Sequence, residues 1–194
     1  MTKRAERETE TRRRITESAV ELHGTLGPAR TTISALAKHA GVQRTTVHRH
    51  FPDEAALFTA CSSLWISQNP FPDLAEWAAI ENPDERLTRA LEDLYAHYRR
   101  SEQMMTNILR DEATLPILAQ TLAGYRQYLE GARETLLAGR SASGSMYRPL
   151  CAVMGHALAF NTWRSLAGEQ SLEDQEIVHL MRSLVAAARD RSVA

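Results

Sequence analysis

The chain has 194 residues and only two cysteines, Cys61 and Cys151. They stand far apart and fit neither a disulfide framework nor a metal or redox spacing. Two free thiols suit a reducing, cytoplasmic setting. Glycine (9) and proline (7) are scarce and cluster at a few breaks. Alternating β-branched stretches are almost absent, which leaves a helical pattern nearly throughout. No apolar run approaches 18 residues, so no membrane span is expected. The opening stretch MTKRAERETETRRR lacks the apolar core of a secretory signal. Neither an internal repeat nor a low-complexity segment is present. Gly-x-Ser-x-Gly, a phosphate loop and a Cys–His arrangement are all missing. Hydrolase and nucleotide-binding readings therefore have no support, no catalytic residue is assigned and no cofactor is expected.

One further absence is local. Between Leu22 and Pro52 there is no carboxylate, while Arg30, Lys38, Arg44, Arg49 and four histidines fall in that stretch. Residues 1–60 hold 10 Lys/Arg against 7 Asp/Glu, and residues 61–194 hold 13 against 17. The overall charge of -1 argues for no partner, but this distribution suits a surface facing a polyanion. A merely solvated cationic face has the same composition. Apolar residues make up 43% of the chain, enough to exclude disorder.

Periodicity divides the chain into helices. Ile15, Ala19, Leu22 and Leu26 mark a first, stopped by Gly27-Pro28. Thr32 can cap a second that runs to about Ala40, where Gly41 breaks it. A third covers Arg44 to His50 and stops at Pro52. Asp53 can cap a fourth, running to about Ser67, with Glu54 favourable at its positive end. The break QNPFP (68–72) precedes a short helical piece at Leu74–Ile80. Asn82-Pro83-Asp84-Glu85 starts a helix striped by Leu87, Leu91, Leu94 and Tyr98. A separate helix is predicted around Met104, Met105, Ile108 and Leu109. Leu115, Leu118, Leu122, Tyr125, Leu129, Ala132 and Leu136 then step by three and four through a long buried helix. GRSASGS (139–145) reads as a flexible connection. Two last helices are predicted, at Tyr147–Ala167 and Leu172–Arg191, the latter capped by Ser171. CAVMGHALAFNTW (151–163) is apolar on most faces, and Ile177, Leu180, Met181, Leu184 and Val185 stripe the last helix. A homodimer interface built from these two helices would bury such surface, as would one deep core.

The third helix carries the most chemistry. Val47 and Phe51 point inward, four apart. Thr45, Thr46 and Arg49 then face outward, with Arg44 near the start and His48 and His50 on the flanks. A solvated face would favour Glu and Lys, whereas these side chains suit a DNA major groove. Ala37, Gly41 and Val47 have the spacing of a helix-turn-helix.

The stretch TTISALAKHAGVQRTTVHRHFPDEAAL (31–57) resembles the DNA-binding signature of the tetracycline-repressor (TetR) family of bacterial regulators. Thr31, Thr32, Leu36, Ala37, Ala40, Gly41, Val42, Thr46, Val47, His50, Phe51 and Leu57 carry the resemblance. It implies an all-α homodimer: a three-helix DNA-binding domain (1–52) with its helix-turn-helix, then a helical effector-binding and dimerisation domain (53–194). It also implies double-stranded DNA as partner, read as a palindromic operator, and a small-molecule effector whose binding releases the operator. Four positions depart from the family's pattern. Thr45 stands where glycine is common and His48 where tyrosine is; protonated histidine donates more strongly, so its contact should strengthen in acid. Glu54 stands where lysine is usual and repels phosphate. Gln43, where serine is common, is a poor helix cap.

Thr45, Thr46, Arg44 and Arg49 are expected to face base edges. Thr32, His48 and His50 are expected to meet phosphates, with Gln43 beside them at the start of the helix. For an effector, the polar-tipped and aromatic residues on apolar helices are the candidates: Trp65, Tyr98, Met105, Tyr128, Phe160, Asn161 and Trp163, with Tyr95, Tyr125 and His156 near them in pattern. They suit a mostly apolar organic molecule. For any one of them, core packing is a better explanation than ligand contact. Two other functions fit a helical chain. A di-iron bundle needs two Glu-x-x-His pairs, and only Glu176–His179 is present, so no metal ligand is assigned. A helical dimer that binds proteins and no operator is the other.

Overall fold

Gly27 and Gly41 close the first two helices by a left-handed turn. The computed structural model describes residues 3–140 and 147–190. Among them are ten α-helices and no strand: α1 (Lys3–Thr25), α2 (Ile33–His39), α3 (Arg44–His50), α4 (Glu54–Gln68), α5 (Leu74–Ala78), α6 (Pro83–Asp111), α7 (Pro116–Leu137), α8 (Tyr147–Leu158), α9 (Phe160–Arg164) and α10 (Asp174–Asp190). Of the connection expected at 139–145, residues 141–146 lie outside the described residues, as does Arg191. The chain forms two compact units. One holds the residues up to Pro70 together with Gln103–Ala123; the other holds Phe71–Glu102 and the described residues from Gly124 onward.

In the first unit, Ile15, Ala19 and Leu22 of α1 pack with Leu36 and Ala37 of α2, Val47 and Phe51 at α3, Leu57, Phe58 and Cys61 of α4 and Leu118 of α7. Thr32 caps α2 by accepting from the Ala35 amide, and Asp53 caps α4 by accepting from the Ala56 amide. After α2 the chain turns at Gly41, with φ of +64°. The Val42 N–H donates to Ala37 O (2.9 Å) and the Gly41 N–H to Lys38 O (3.2 Å), the two bonds of a Schellman closure. α1 begins well before the apolar stripe. Arg13 pairs with Glu10, three residues before it, and Glu17, four after it, on the same polar face. Arg12 donates to His50 O and lies 4.2 Å over the Phe51 ring, while Arg14 donates to Ala40 O. The polar half of α1 is thus fastened to the ends of α2 and α3.

The end of α6 closes this unit. Asn107 Nδ2 donates to His23 O and Gly24 O at the end of α1. Arg110 donates to Leu26 O, and Asp111 accepts from the Ala29 amide. Gly27 lies under this clasp with φ of +95°; a Cβ there would stand 2.1 Å from Arg110 Nη2. α6 is one helix of 29 residues where two were predicted. Arg99, Arg100, Ser101, Glu102 and Gln103 interrupt the apolar stripe, but most are good helix formers and do not interrupt the backbone.

In the second unit, Leu87, Leu91 and Leu94 of α6 are buried with Ala132 and Leu136 of α7, Leu150 and Met154 of α8, and Ile177, Met181 and Val185 of α10. Buried Arg86 donates through Nε to Ile80 O (2.9 Å) and through Nη1 to Ala138 O (2.7 Å) and Thr135 O (3.2 Å). It faces no carboxylate: helix-end carbonyls, which carry partial negative charge, hold it. The helix predicted over 147–167 is broken at Ala159, whose extended backbone (ψ 130°) separates α8 from α9. Ser171 does not cap α10. Its left-handed backbone (φ 56°) closes the turn after α9, where the Leu172 N–H donates to Leu166 O. Glu173 precedes α10 instead, with its N–H bonded to Glu176 Oε2.

Two outcomes follow from this packing. His23 stacks on Phe58 at 5.1 Å beside Cys61, and burial lowers its pKa to about 4. The unfolded imidazole takes up its proton near pH 6.5, before the folded one can, so acid favours the unfolded chain. Stability from this residue is complete above that pH and falls by on the order of 3 kcal/mol as pH drops from about 6.5 to 4. Urea midpoints of the wild type should decline more steeply over that window than those of His23→Phe; parallel curves would refute the assignment. Arg86→Met should cost roughly 2–4 kcal/mol, because it leaves several carbonyls without a charged donor. A thermal unfolding midpoint within a degree of the wild type would show that water replaces the guanidinium.

Candidate nucleic-acid interface

α3 is seven residues long, RTTVHRH, and its two sides differ completely. Val47 is fully buried and Phe51, at the end, nearly so. Gln43, Arg44, Thr45, His48 and Arg49 are exposed, and Thr46 is half-buried. Gln43 occupies the N-cap position with no side-chain cap bond, which leaves its amide for other partners. Thr32 is exposed; its hydroxyl oxygen accepts the cap bond, so its O–H remains a donor. Glu54 is also exposed, at the start of α4.

His50 is the exception among the eight. It is 8% exposed, and its Nε2 has no hydrogen-bond partner. Helix geometry explains the difference: His50 lies three positions after Val47 and so shares its inner side rather than the flank. Burial, with Arg49 and Arg12 close by, depresses its pKa.

The arginines of α1 and α3 fall into two groups. Arg12, Arg13 and Arg14 hold carbonyls, a ring or carboxylates of the protein itself. Arg4, Arg7, Arg44 and Arg49 are exposed and make no ion pair among the described residues. α3 therefore presents cations and hydroxyls that the fold does not use, on a helix held from behind by the core. Such a helix can enter a major groove, give two-pronged donors to guanine from arginine and meet phosphates with the rest.

The effector candidates separate. Trp65, half-buried on α4, and Met105, buried on α6, belong to the first unit. Tyr98, Phe160 and Trp163 meet in the second: Tyr98 lies 5.3 Å from Phe160 and 5.9 Å from Trp163, and those two are 5.8 Å apart. Tyr128 reaches the same unit through Phe71, at 4.8 Å. Asn161 is exposed. Phe71, Trp77 and His97 were not among the candidates. Phe71 stands between two prolines in what reads as a simple break, yet its ring contacts His97, Tyr125 and Tyr128. No sequence signal marks it.

The break at Ala159 lies inside this aromatic group. Tyr95 Oη donates to Ala157 O (2.8 Å) and Tyr98 Oη to Leu158 O (2.7 Å). Tyr98 Oη is also 3.0 Å from Tyr125 Oη. Burial raises the pKa of all three phenols. Each hydroxyl therefore stays protonated at neutral pH, and those of Tyr95 and Tyr98 stay available as donors to the carbonyls.

Glu176 and His179 gain no companions: among the described residues no group of three or more His, Cys, Asp or Glu is placed to hold a metal ion. No helix among them is long and apolar enough to cross a membrane.

Residues 15–61 match the sequence profile of bacterial regulatory proteins of the tetR family. That span covers α2, α3, most of α4 and the buried end of α1. A sequence comparison with curated proteins finds no match. Solved structures agree in fold over nearly the whole chain. A provisionally assigned TetR-family transcriptional regulator from Mesorhizobium loti is 18% identical with a TM-score of 0.65, over 94% of this chain and 96% of its own. A TetR-like transcriptional regulator from Rhodococcus sp. RHA1 is 18% identical with a TM-score of 0.63, over 91% and 93%. A tetR-family transcriptional regulator from Streptomyces coelicolor is 16% identical with a TM-score of 0.61, over 93% and 82%. At such identities the structures speak for the fold, and the profile over α1–α4 speaks for the DNA-binding domain. Together they show a tetR-family DNA-binding domain at residues 15–61, carried by a chain with the fold of TetR-type transcriptional regulators.

Proposed function

We propose that the chain acts as a homodimeric repressor that holds a palindromic operator through two copies of α3 and releases it when a small, mostly apolar molecule enters the second unit. The observation that carries this reading is the unpaired, acid-free outer side of α3, set against a buried inner side. Arg44, Thr45, Thr46 and Arg49 read base edges. Thr32, Gln43 and His48 hold the backbone. A dimer face is supported by α10, where Leu180 and Leu184 are 38% and 41% exposed while Ile177, Met181 and Val185 fill the protomer's own core. On α8, a Cβ at Gly155 would meet nothing within 4 Å, so a second backbone could approach there. The effector's place is supported by the ring group of Tyr98, Phe160 and Trp163, whose polar atoms are already bonded, the Tyr98 hydroxyl to Leu158 O and the Trp163 N–H to Asp174.

A random-sequence duplex selection tests the DNA half. It should return a palindrome with half-sites about one helical turn apart, or a multiple of it. Arg49→Ala should then weaken binding by about 1–3 kcal/mol and relax preference at one position of each half-site. An unchanged gel-shift affinity removes Arg49 from the readout, and the absence of any salt-dependent duplex binding removes the operator altogether.

For the effector, neutral compounds that raise the thermal midpoint should weaken operator binding by about 5–150-fold, the usual range of such coupling. They should also change Trp163 fluorescence, judged against Trp163→Phe. Compounds that stabilise the protein without loosening the operator would separate the ring group from regulation.

A further inference from the structure

The two unpaired arginines at the start of α1 do not stand alone. Arg4, Arg7, Glu8 and Thr11 of α1 line one surface cleft together with Arg49 and His50 of α3. The cleft, about 300 Å³, is at the lower end of the range that organic ligands fill. Its lining is charged rather than aromatic. A small anion fits that chemistry, and an apolar molecule does not.

Three observations argue against a merely solvated face. Further along α1, every arginine is engaged: Arg12 by His50 O and Phe51, Arg13 by Glu10 and Glu17, Arg14 by Ala40 O. Of the arginines on α1 only Arg4 and Arg7, the two that share a cleft with Arg49, make neither an ion pair nor a side-chain hydrogen bond among the described residues, and Glu8 beside them pairs with neither. His50 contributes a buried ring whose Nε2 has no partner. A polar atom kept from water without a bond is costly, and a ligand oxygen would relieve it. Finally, the cleft shares Arg49 with the outer side of α3. An anion seated there is continuous with whatever α3 touches.

We propose that this cleft seats one DNA backbone phosphate per protomer, held by Arg4 and Arg7 with Arg49 and His50 beside it. The inference rests on the reading of the chain as a DNA-binding regulator and extends it to a contact from α1 that residues 31–57 alone do not contain. Thr11 cannot add its proton, since its hydroxyl donates to Arg7 O. Glu8 opposes the anion and limits the affinity of the seat. The charged groups that act on His50 are Arg12, Arg49 and Glu8, and Arg4 and Arg7 line the same cleft. The first two disfavour its protonated form. A phosphate in the cleft supplies the negative charge that favours it.

The test uses the full-length protein and two duplexes, the selected operator and a scrambled version, with affinity measured by anisotropy across sodium chloride concentrations. Each phosphate contact contributes about 0.9 to the slope of log K against log salt. Arg4→Gln/Arg7→Gln should therefore flatten the slope by roughly two for a dimer and weaken both duplexes alike, leaving their affinity ratio unchanged. Glu8→Gln should tighten both. Arg13→Gln removes a charge from the same helix outside the cleft and should leave the slope as it was. His50 side-chain resonances should move when either duplex is added, and not in the double variant. A wild-type slope in the double variant, or an equal loss in Arg13→Gln, overturns the proposal. So does a His50 resonance that responds to inorganic phosphate but not to duplex, which would make the seat one for a free anion. A wild type that binds neither duplex is a different failure, that of the DNA-binding reading itself.

Discussion

A helix leaves its last carbonyls without backbone donors, and burying them bare would cost more than the surrounding packing returns. In this protein α6 supplies most of the missing donors. Within the second unit, Arg86 serves the ends of α5 and α7, and Tyr95 and Tyr98 serve the end of α8. Within the first, Asn107 and Arg110 serve the end of α1. One face of α6 is leucine and packs; the side chains beside it are polar and finish other helices. The two jobs explain why α6 is long, why its apolar stripe is interrupted and why its polar residues are buried. They also fix a register. Within each unit, a turn's shift of its part of α6 would separate those donors from their acceptors.

The same logic sorts the cations of the first unit. Arg12 and Arg14 donate to the carbonyls that end α3 and α2, so they hold the reading helix from behind. The two remaining on α1 and the two on α3 have no side-chain acceptor among the described residues. Exposed arginines are cheap to leave solvated, and surface ion pairs contribute little, so stability places no demand on them. What stability does not explain is their alignment with a stretch that has no acid for 31 residues, from Leu22 to Pro52. Function is the remaining constraint on that surface, and a duplex is the polyanion whose spacing a rigid seven-residue helix can follow.

The DNA-binding half was legible in the sequence because its signals are local. Gly41 needs a positive φ, Thr32 and Asp53 sit at caps, and Val47 with Phe51 defines an inward side within one turn. The same wheel places His50 inward, three residues after Val47, and its polarity disguised that. The second half was less legible because its decisive bonds are distant. Residues 147–167 keep a helical pattern through Ala159, and nothing near that residue announces a break. The break exists because hydroxyls from Tyr95 and Tyr98, far away in sequence, satisfy the carbonyls it frees. Ser171 looked like a cap because serine usually is one; the left-handed turn it forms closes α9's end instead.

That break bears on how an effector could act. An unbroken helix over 147–167 would satisfy Ala157 O and Leu158 O internally, leaving Tyr95 with a buried, idle hydroxyl and Tyr98 with only Tyr125 Oη as partner. The broken form exchanges backbone bonds for phenol bonds of similar strength, so the two arrangements need not differ much in free energy. A ligand with its own acceptor, placed among Tyr98, Phe160 and Trp163, would compete for the Tyr98 proton with a carbonyl that has an alternative donor in its own helix. It need contribute only the difference between two nearly balanced sets of bonds. Such a balance gives a small molecule leverage over a large core, because the polar groups it disturbs can be satisfied again by the backbone rather than left bare.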